Sequence, residues 1–175
     1  MPQPGYIVAQ YSTEDGFGSG AIRYFSDSDY SHVDLVVPET VIGAAVVNGW
    51  IKPRLWRGCH EMLLGSRMGS GVQLRPKDYG KFTKVARIEY EVPDIHAAYK
   101  FAFAQIGKPY NKGAILDFFL HRTRKFDANQ KSWFCDELFY QIGRAGGTRL
   151  LNCDNPLDLT PQECFLSPLG KPVRA

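Results

Sequence analysis

Lys84-Val-Ala-Arg-Ile-Glu-Tyr-Glu-Val-Pro-Asp-Ile-His-Ala-Ala-Tyr-Lys-Phe-Ala-Phe-Ala-Gln-Ile-Gly107 holds the change of structure that decides the fold class. Lys84 to Val92 reads as a strand, stopped by Pro93. Asp94 then opens the clearest helix in the chain. Ile95, Ala98, Tyr99, Ala102, Phe103 and Ile106 recur at i, i+3, i+4, i+7, i+8 and i+11, one apolar stripe along a helix. Gly107 closes that helix, and Pro109 prevents its continuation.

Strand signals precede this point. Tyr6-Ile-Val-Ala-Gln-Tyr11 is a short β-rich run, followed by turn formers from Ser12 to Gly16 and from Gly18 to Gly20. Ser19 is placed to cap a short helix carrying Ile22 and Phe25 on one face. Ser31-His-Val-Asp-Leu-Val-Val37 reads as a buried strand ending at Pro38, with its first residues at an edge. Met62 to Arg67 and Val72 to Arg75 form two more strands around the turn signal Gly69-Ser-Gly71. Between them, Pro38 to Glu61 is irregular in pattern, with Trp50 and Trp56 marking it as an ordered excursion.

Helices follow. A short apolar one is expected from Gly113 to about Arg122, and another begins at Ser132, with Phe134, Leu138, Ile142 and Ala145 on one side. Thr160-Pro-Gln-Glu163 is a capping box with proline at the first helical position. Strands first and helices after give an α+β class, with helices packed on a largely antiparallel sheet. Residues 1–175 are read as a single domain with an irregular insertion around 38–61.

Composition narrows the function. The chain has 175 residues, 44% hydrophobic and 22% charged, and a net charge of +3 from 21 basic against 18 acidic side chains. That excess is too small for a nucleic-acid partner, which needs a concentrated basic stripe. The run His121-Arg-Thr-Arg-Lys125 is better explained as a solvated helix end. No apolar run approaches a membrane span, and no signal peptide is visible, so a cytoplasmic protein is expected. Cys59, Cys135, Cys153 and Cys164 are then reduced thiols. None lies in a C-x-x-C pair, so zinc-ribbon and thioredoxin signals are absent, and no cofactor is expected. Cys59, His60 and Glu61 are adjacent and converge poorly on one metal ion.

The informative segment for chemistry is Ser132-Trp-Phe-Cys-Asp-Glu-Leu138. With Ser132 as N-cap, Cys135 is the third helical residue, where unpaired N–H groups and the helix dipole favour thiolate over thiol. A nucleophilic cysteine also needs a base from elsewhere in the chain. His32, at the mouth of a strand, is the best placed of the four histidines. His60, His96 and His121 read as exposed or partly exposed side chains. Asp136 and Glu137 suit the first turn of a helix, with Asp136 expected to face away from the sulfur. The competing reading of Cys135 is a buried core thiol.

Ser31-His-Val-Asp-Leu-Val, Gly107-Lys-Pro-Tyr-Asn and Trp133-Phe-Cys-Asp-Glu-Leu, in that order, resemble the permuted branch of the NlpC-type papain-like hydrolases, whose bacterial examples are YiiX-like proteins. The similarity covers most of the chain, through Asn155-Pro-Leu-Asp-Leu159. It implies a circularly permuted papain-like fold in which the sheet packs against the cysteine-bearing helix. It implies that Cys135 attacks a carbonyl carbon, that His32 takes and returns the proton, and that Tyr110 helps to bind the oxyanion. A third polar residue on the strand after the histidine strand usually orients the imidazole. Here that strand offers Ser66, or Glu61 in another register. Asp34 shares the strand face of His32, but two residues along a strand is roughly 6.5–7 Å, long for a direct hydrogen bond.

The function expected is a thiol amidase or peptidase with a cell-wall peptide or acyl-amide substrate. A catalytically impaired binding module and an acyltransferase using the same site are the alternatives. A cell-wall enzyme with no signal peptide would suit a phage-encoded protein. The Cys135 sulfur is expected within about 4 Å of a ring nitrogen of His32, with its pKa below the free value of about 8.5.

Overall fold

The β-rich run near the N-terminus extends in both directions into β1 (Gly5–Glu14), which lies inside the sheet. The computed structural model describes residues 2–14, 20, 23, 24, 28–52, 60–111, 130–151 and 160–173. β1 pairs with β2 (His32–Pro38) on one side and with β5 (Phe82–Val92) on the other. β3 (Glu61–Arg67) and β4 (Gly71–Pro76) lie beyond β2, and β6 (Gly170–Pro172) lies beyond β5. The order is β4-β3-β2-β1-β5-β6, and every pairing is antiparallel. The α+β reading holds.

Alternation sorts the sheet into two faces. Ile7, Ala9 and Tyr11 of β1, Val33, Leu35 and Val37 of β2, and Ile88, Tyr90 and Val92 of β5 are buried in one core. Helix α2 (Ile95–Ala104) adds Ala98, Tyr99, Ala102 and Phe103 to it, the apolar stripe of the sequence. Asp94 caps α2 by accepting from the Ala97 N–H at 3.0 Å. Helix α3 (Cys135–Ala145) packs on α2 and on β2 and β3, with Phe139 5.6 Å from the Tyr90 ring. Gln10, Ser12, His32 and Asp34 alternate with the core residues and so occupy the opposite face, yet all are buried.

The stretch after Pro38 is more regular than its pattern suggested. Glu39–Val47 is a helix, α1, between β2 and β3. Its residues are apolar on nearly every side, it includes three valines or isoleucines in its interior and a glycine, and no side chain caps its start. Periodicity, propensity and capping were thus all silent there. Trp50 anchors the chain beyond it, edge-on to His96 at 4.7 Å and 6.1 Å from Phe103. Near the C-terminus, Thr160 and Glu163 form the expected capping box at the start of α4 (Pro161–Phe165). Ser19, Ile22 and Phe25 of the first expected helix, the helix from Gly113, the His121–Lys125 run, Trp56, Cys59, Cys153 and the segment 155–159 lie outside the described residues. Among the described residues, no helix is long and apolar enough to cross a membrane.

One glycine ties the sheet to the segment that leads to the site. Gly71 has φ +66°, and a Cβ there would meet the Lys108 carbonyl oxygen at 2.3 Å and Pro109 Cα at 3.1 Å. This close approach lets Val72 exchange backbone hydrogen bonds with Gly107 and Lys108, each 2.9 Å. Replacing Gly71 by alanine adds a left-handed non-glycine residue, about 1–3 kcal/mol of strain, to a clash with backbone that cannot rotate away. Urea unfolding of Gly71→Ala is expected to show at least that loss. An unchanged midpoint would show that the 107–110 segment is not held in this way.

Candidate active site

Trp133 fixes where the cysteine helix begins. Its N–H donates to the Pro109 carbonyl, and its own carbonyl accepts from the Asn111 N–H, both at 3.1 Å. The same carbonyl accepts from the Ser66 hydroxyl at 2.7 Å. The chain is therefore extended beside Tyr110 as far as Phe134, which is the N-cap at φ −83° and ψ 161°. Cys135 is the first helical residue, not the third, and Ser132 is not the cap. The Glu137 carboxylate closes the first turn, accepting from the Phe134 N–H at 3.1 Å. The Cys135 N–H, first in the helix, has no intrahelical acceptor.

This helix start meets the sheet where β2 and β3 cease to pair. Their ladder runs from Pro38 and Glu61 to Leu35 and Leu64, while β3 continues along β4 as far as Arg67. In the fork, the N–H groups of Val33 and Asp136 both reach the Cys135 sulfur. The thiol is 2% exposed. Burial pushes its pKa well up, and the Asp136 carboxylate beside it pushes the same way. The two N–H groups oppose this without overcoming it, and Asp34 adds to the rise. The expected depressed thiol is therefore corrected. Asp136 does not face away; it is fully buried next to the sulfur, with Oδ1 accepting from the Glu137 N–H at 2.8 Å.

On the other side of Val33, the His32 Nε2 lies 2.9 Å from Asp34 Oδ1. The Cα spacing along a strand gave the wrong answer, because an imidazole and a carboxylate on one strand face lean together and close most of that gap. Ser66, the expected partner, points to Trp133 instead, and Glu61 is paired with Arg87 at 2.5 Å. Asp34 is buried, and its second oxygen accepts from the Tyr79 hydroxyl at 2.7 Å. Burial raises its pKa, but the charge and hydrogen bond of His32, the Tyr79 hydroxyl and the Arg75 guanidinium outweigh that, so the net shift is downward. An ionised carboxylate can only accept, which assigns the proton to Nε2 and leaves the Nδ1 lone pair of a neutral His32 for another partner. Among the hydrogen bonds of the described residues, none joins His32 directly to Cys135.

Gly65 explains how Asp34 fits. It lies on β3 beside Asp34, and a Cβ at that position would come within 1.8 Å of Asp34 Oδ1. A glycine inside a strand marks a close approach of this kind, and this was the readable signal for Asp34 in the sequence. Tyr79, in the turn after β4, gave no comparable signal.

Tyr110 is half-buried, with its ring 5.6 Å from Phe134. Burial, then the neighbouring Cys135, Asp136 and Glu137, push its phenol pKa up, so it is a protonated donor near the sulfur. The other histidines are remote in environment. His60 is exposed and paired with Glu39 at 2.9 Å, His96 packs on Trp50, and His121 lies outside the described residues.

No protein-family model and no curated protein matches the sequence. Among solved structures, the metalloprotein yiiX from Escherichia coli O157:H7 is similar, with a TM-score of 0.60 at 18% identity, covering 99% of this chain and 97% of that one. The two share a fold over nearly their whole lengths. The neighbour is described as a metalloprotein, but among the described residues of this chain no three His, Cys, Asp or Glu side chains group so as to hold a metal ion. The donor set here does not fit one, and no step below passes through a metal.

The Asp34 shift has a pH signature. A carboxyl depressed in the folded state stabilises the fold above its ordinary value of about 3.9, and that contribution disappears as the pH falls through the folded value. Asp34→Asn is expected to lose about 1–3 kcal/mol at neutral pH, the range for disturbing a buried hydrogen-bonded group. In denaturant unfolding, the gap between wild type and variant should hold down to about pH 4 and narrow below it. A gap that widens on acidification would contradict an ionised Asp34.

Proposed function

We propose that this chain is a cysteine hydrolase, a thiol amidase or peptidase built on a permuted papain-like arrangement, with Cys135 as nucleophile, His32 as base and Asp34 as the residue that orients His32. The observation that carries this reading is the His32–Asp34 hydrogen bond, which engages Nε2 and leaves Nδ1 as the ring nitrogen available as a base, one residue from Val33, whose N–H reaches the Cys135 sulfur. A histidine oriented by a third group next to a thiol at a helix start is the arrangement nucleophilic acyl transfer requires.

The resting thiol is neutral, so the chemistry is general-base catalysis and not attack by a standing thiolate. As the Cys135 sulfur bonds to the substrate carbonyl carbon, its proton passes to His32 Nδ1, and Asp34 stabilises the imidazolium. The oxyanion is met by the Cys135 N–H at the helix start and by the Tyr110 hydroxyl. Collapse of the tetrahedral species breaks the carbon–nitrogen bond, and the imidazolium protonates the leaving amine. Water, activated by the same imidazole, then hydrolyses the thioester. An amine or alcohol acceptor in place of that water makes the same site an acyltransferase. Cell-wall peptides and acyl amides are the substrate classes this reading favours.

An activated ester tests the reading without knowledge of the substrate. Incubated with p-nitrophenyl acetate and read by intact mass and peptide mapping, the protein should take one acetyl group on Cys135. His32→Ala should slow that acylation by about 10²-fold or more, the low end of what a general base supplies. Acetylation of Cys135 that is indifferent to His32 would leave the binding-module reading in its place, with Cys135 a buried packing residue.

A further inference from the structure

The pair at the centre of the site continues one residue further than a cysteine hydrolase needs. Asp34 has two oxygens, each with its own partner: Oδ1 accepts from His32 at 2.9 Å and Oδ2 from Tyr79 at 2.7 Å. Tyr79 is set rigidly for that contact. Its N–H donates to the Pro76 carbonyl at 3.1 Å, closing the turn between β4 and β5, and its ring meets Phe82 edge-on at 5.3 Å. The Arg67 and Arg75 guanidinium groups lie 4.8 and 5.4 Å from the ring centre. Arg75 is itself fixed by the carbonyls of Gly65 and Gly71, both at 3.0 Å, and Arg67 is paired with Glu14.

We propose that Tyr79 is a positioning residue for the reaction, holding the Asp34 carboxylate in the plane and rotation that present Oδ1 to His32, so that a relay Tyr79–Asp34–His32 sets the imidazole. The inference rests on the catalytic reading above and adds a member to it. Three facts carry it. Gly65 lets the carboxylate lie where a Cβ would stand, so β3 offers its backbone and no side-chain donor to the carboxylate from that side. Ser66, on the strand that would ordinarily supply the orienting group, is committed to the Trp133 carbonyl. The Tyr79 hydroxyl is the hydrogen-bond donor to Oδ2, and a carboxylate held at one oxygen alone is free to turn about its Cβ–Cγ bond. Orientation of this kind acts on the chemical step more than on binding, because a mis-set base fails in the transition state while substrate contacts remain.

The charged groups around the relay are His32, Arg67, Arg75 and Glu14, so a change at one end is expected to be felt at the other. 3-Fluorotyrosine placed at position 79 in the otherwise wild-type chain gives a readout that needs no activity. Its fluorine resonance is expected to shift with pH as His32 titrates, because hydroxyl and imidazole share one carboxylate, and to lose that titration in His32→Gln. In parallel, Tyr79→Phe is expected to slow acylation of Cys135 by p-nitrophenyl acetate about tenfold, roughly the worth of one hydrogen bond to a charged group, with the effect in the maximal rate and not in the half-saturating concentration. A fluorine resonance that ignores the His32 titration overturns the relay. So does Tyr79→Phe acylating at the wild-type rate while His32→Ala does not acylate. If wild type is not acylated at all, the catalytic reading fails by itself, and the fluorine titration still decides whether Tyr79 and His32 are linked through Asp34.

Discussion

The hydrogen bond from His32 Nε2 to Asp34 Oδ1 is the constraint on which the rest of the site depends. It joins two residues of one strand face, so β2 itself brings the imidazole and the carboxylate together, and Tyr79 holds the other carboxylate oxygen. The pair also needs room. Gly65 supplies that room on β3, and the end of the β2–β3 ladder at Leu35 and Leu64 opens the fork beside it. The cysteine helix enters the same fork because Trp133 is tied to Pro109, Asn111 and Ser66 just before the helix starts. A local pair, a missing side chain and a tethered helix start place the His32–Asp34 pair and the Cys135 thiol on either side of Val33.

The thiol in this arrangement is kept neutral by its surroundings. Burial and the Asp136 carboxylate work against a charged sulfur, and the N–H groups of Val33 and Asp136 offset only part of that. A neutral buried thiol is a poor target for soft electrophiles in solution, and in the proposed reaction its proton is the one passed to His32. Asp34 is held ionised by His32, Tyr79 and Arg75, and in the proposed reaction it would stabilise the imidazolium. The proposed reaction would therefore develop charge during the chemical step and not store it before, which suits preorganised groups that face developing charge.

Much of the fold was legible because it rests on local rules. The period of Ile95 to Ile106, the cap at Asp94 and the box at Thr160 and Glu163 each state their structure within a few residues. Helix α1 was hidden because its residues are apolar on almost all sides and uncapped. In the candidate site, Cys135 stands at a helix start as its segment suggested, while Ser66, expected to orient His32, meets the Trp133 carbonyl and Asp34 meets His32 instead. Cα spacing along β2 argued against Asp34, and only side-chain geometry resolves that point. Tyr79 was out of reach, since a tyrosine in a turn carries no sign of the carboxylate it will meet across 45 residues of chain.

The most direct measurement is the tautomer of His32 by ¹⁵N NMR of the imidazole nitrogens at a pH where the ring is neutral. The account places the proton on Nε2, donated to Asp34, with Nδ1 an unprotonated acceptor, and it requires Asp34→Asn to weaken that preference. A neutral His32 carrying its proton on Nδ1 would contradict the account, because the nitrogen assigned to receive the Cys135 proton would already be occupied.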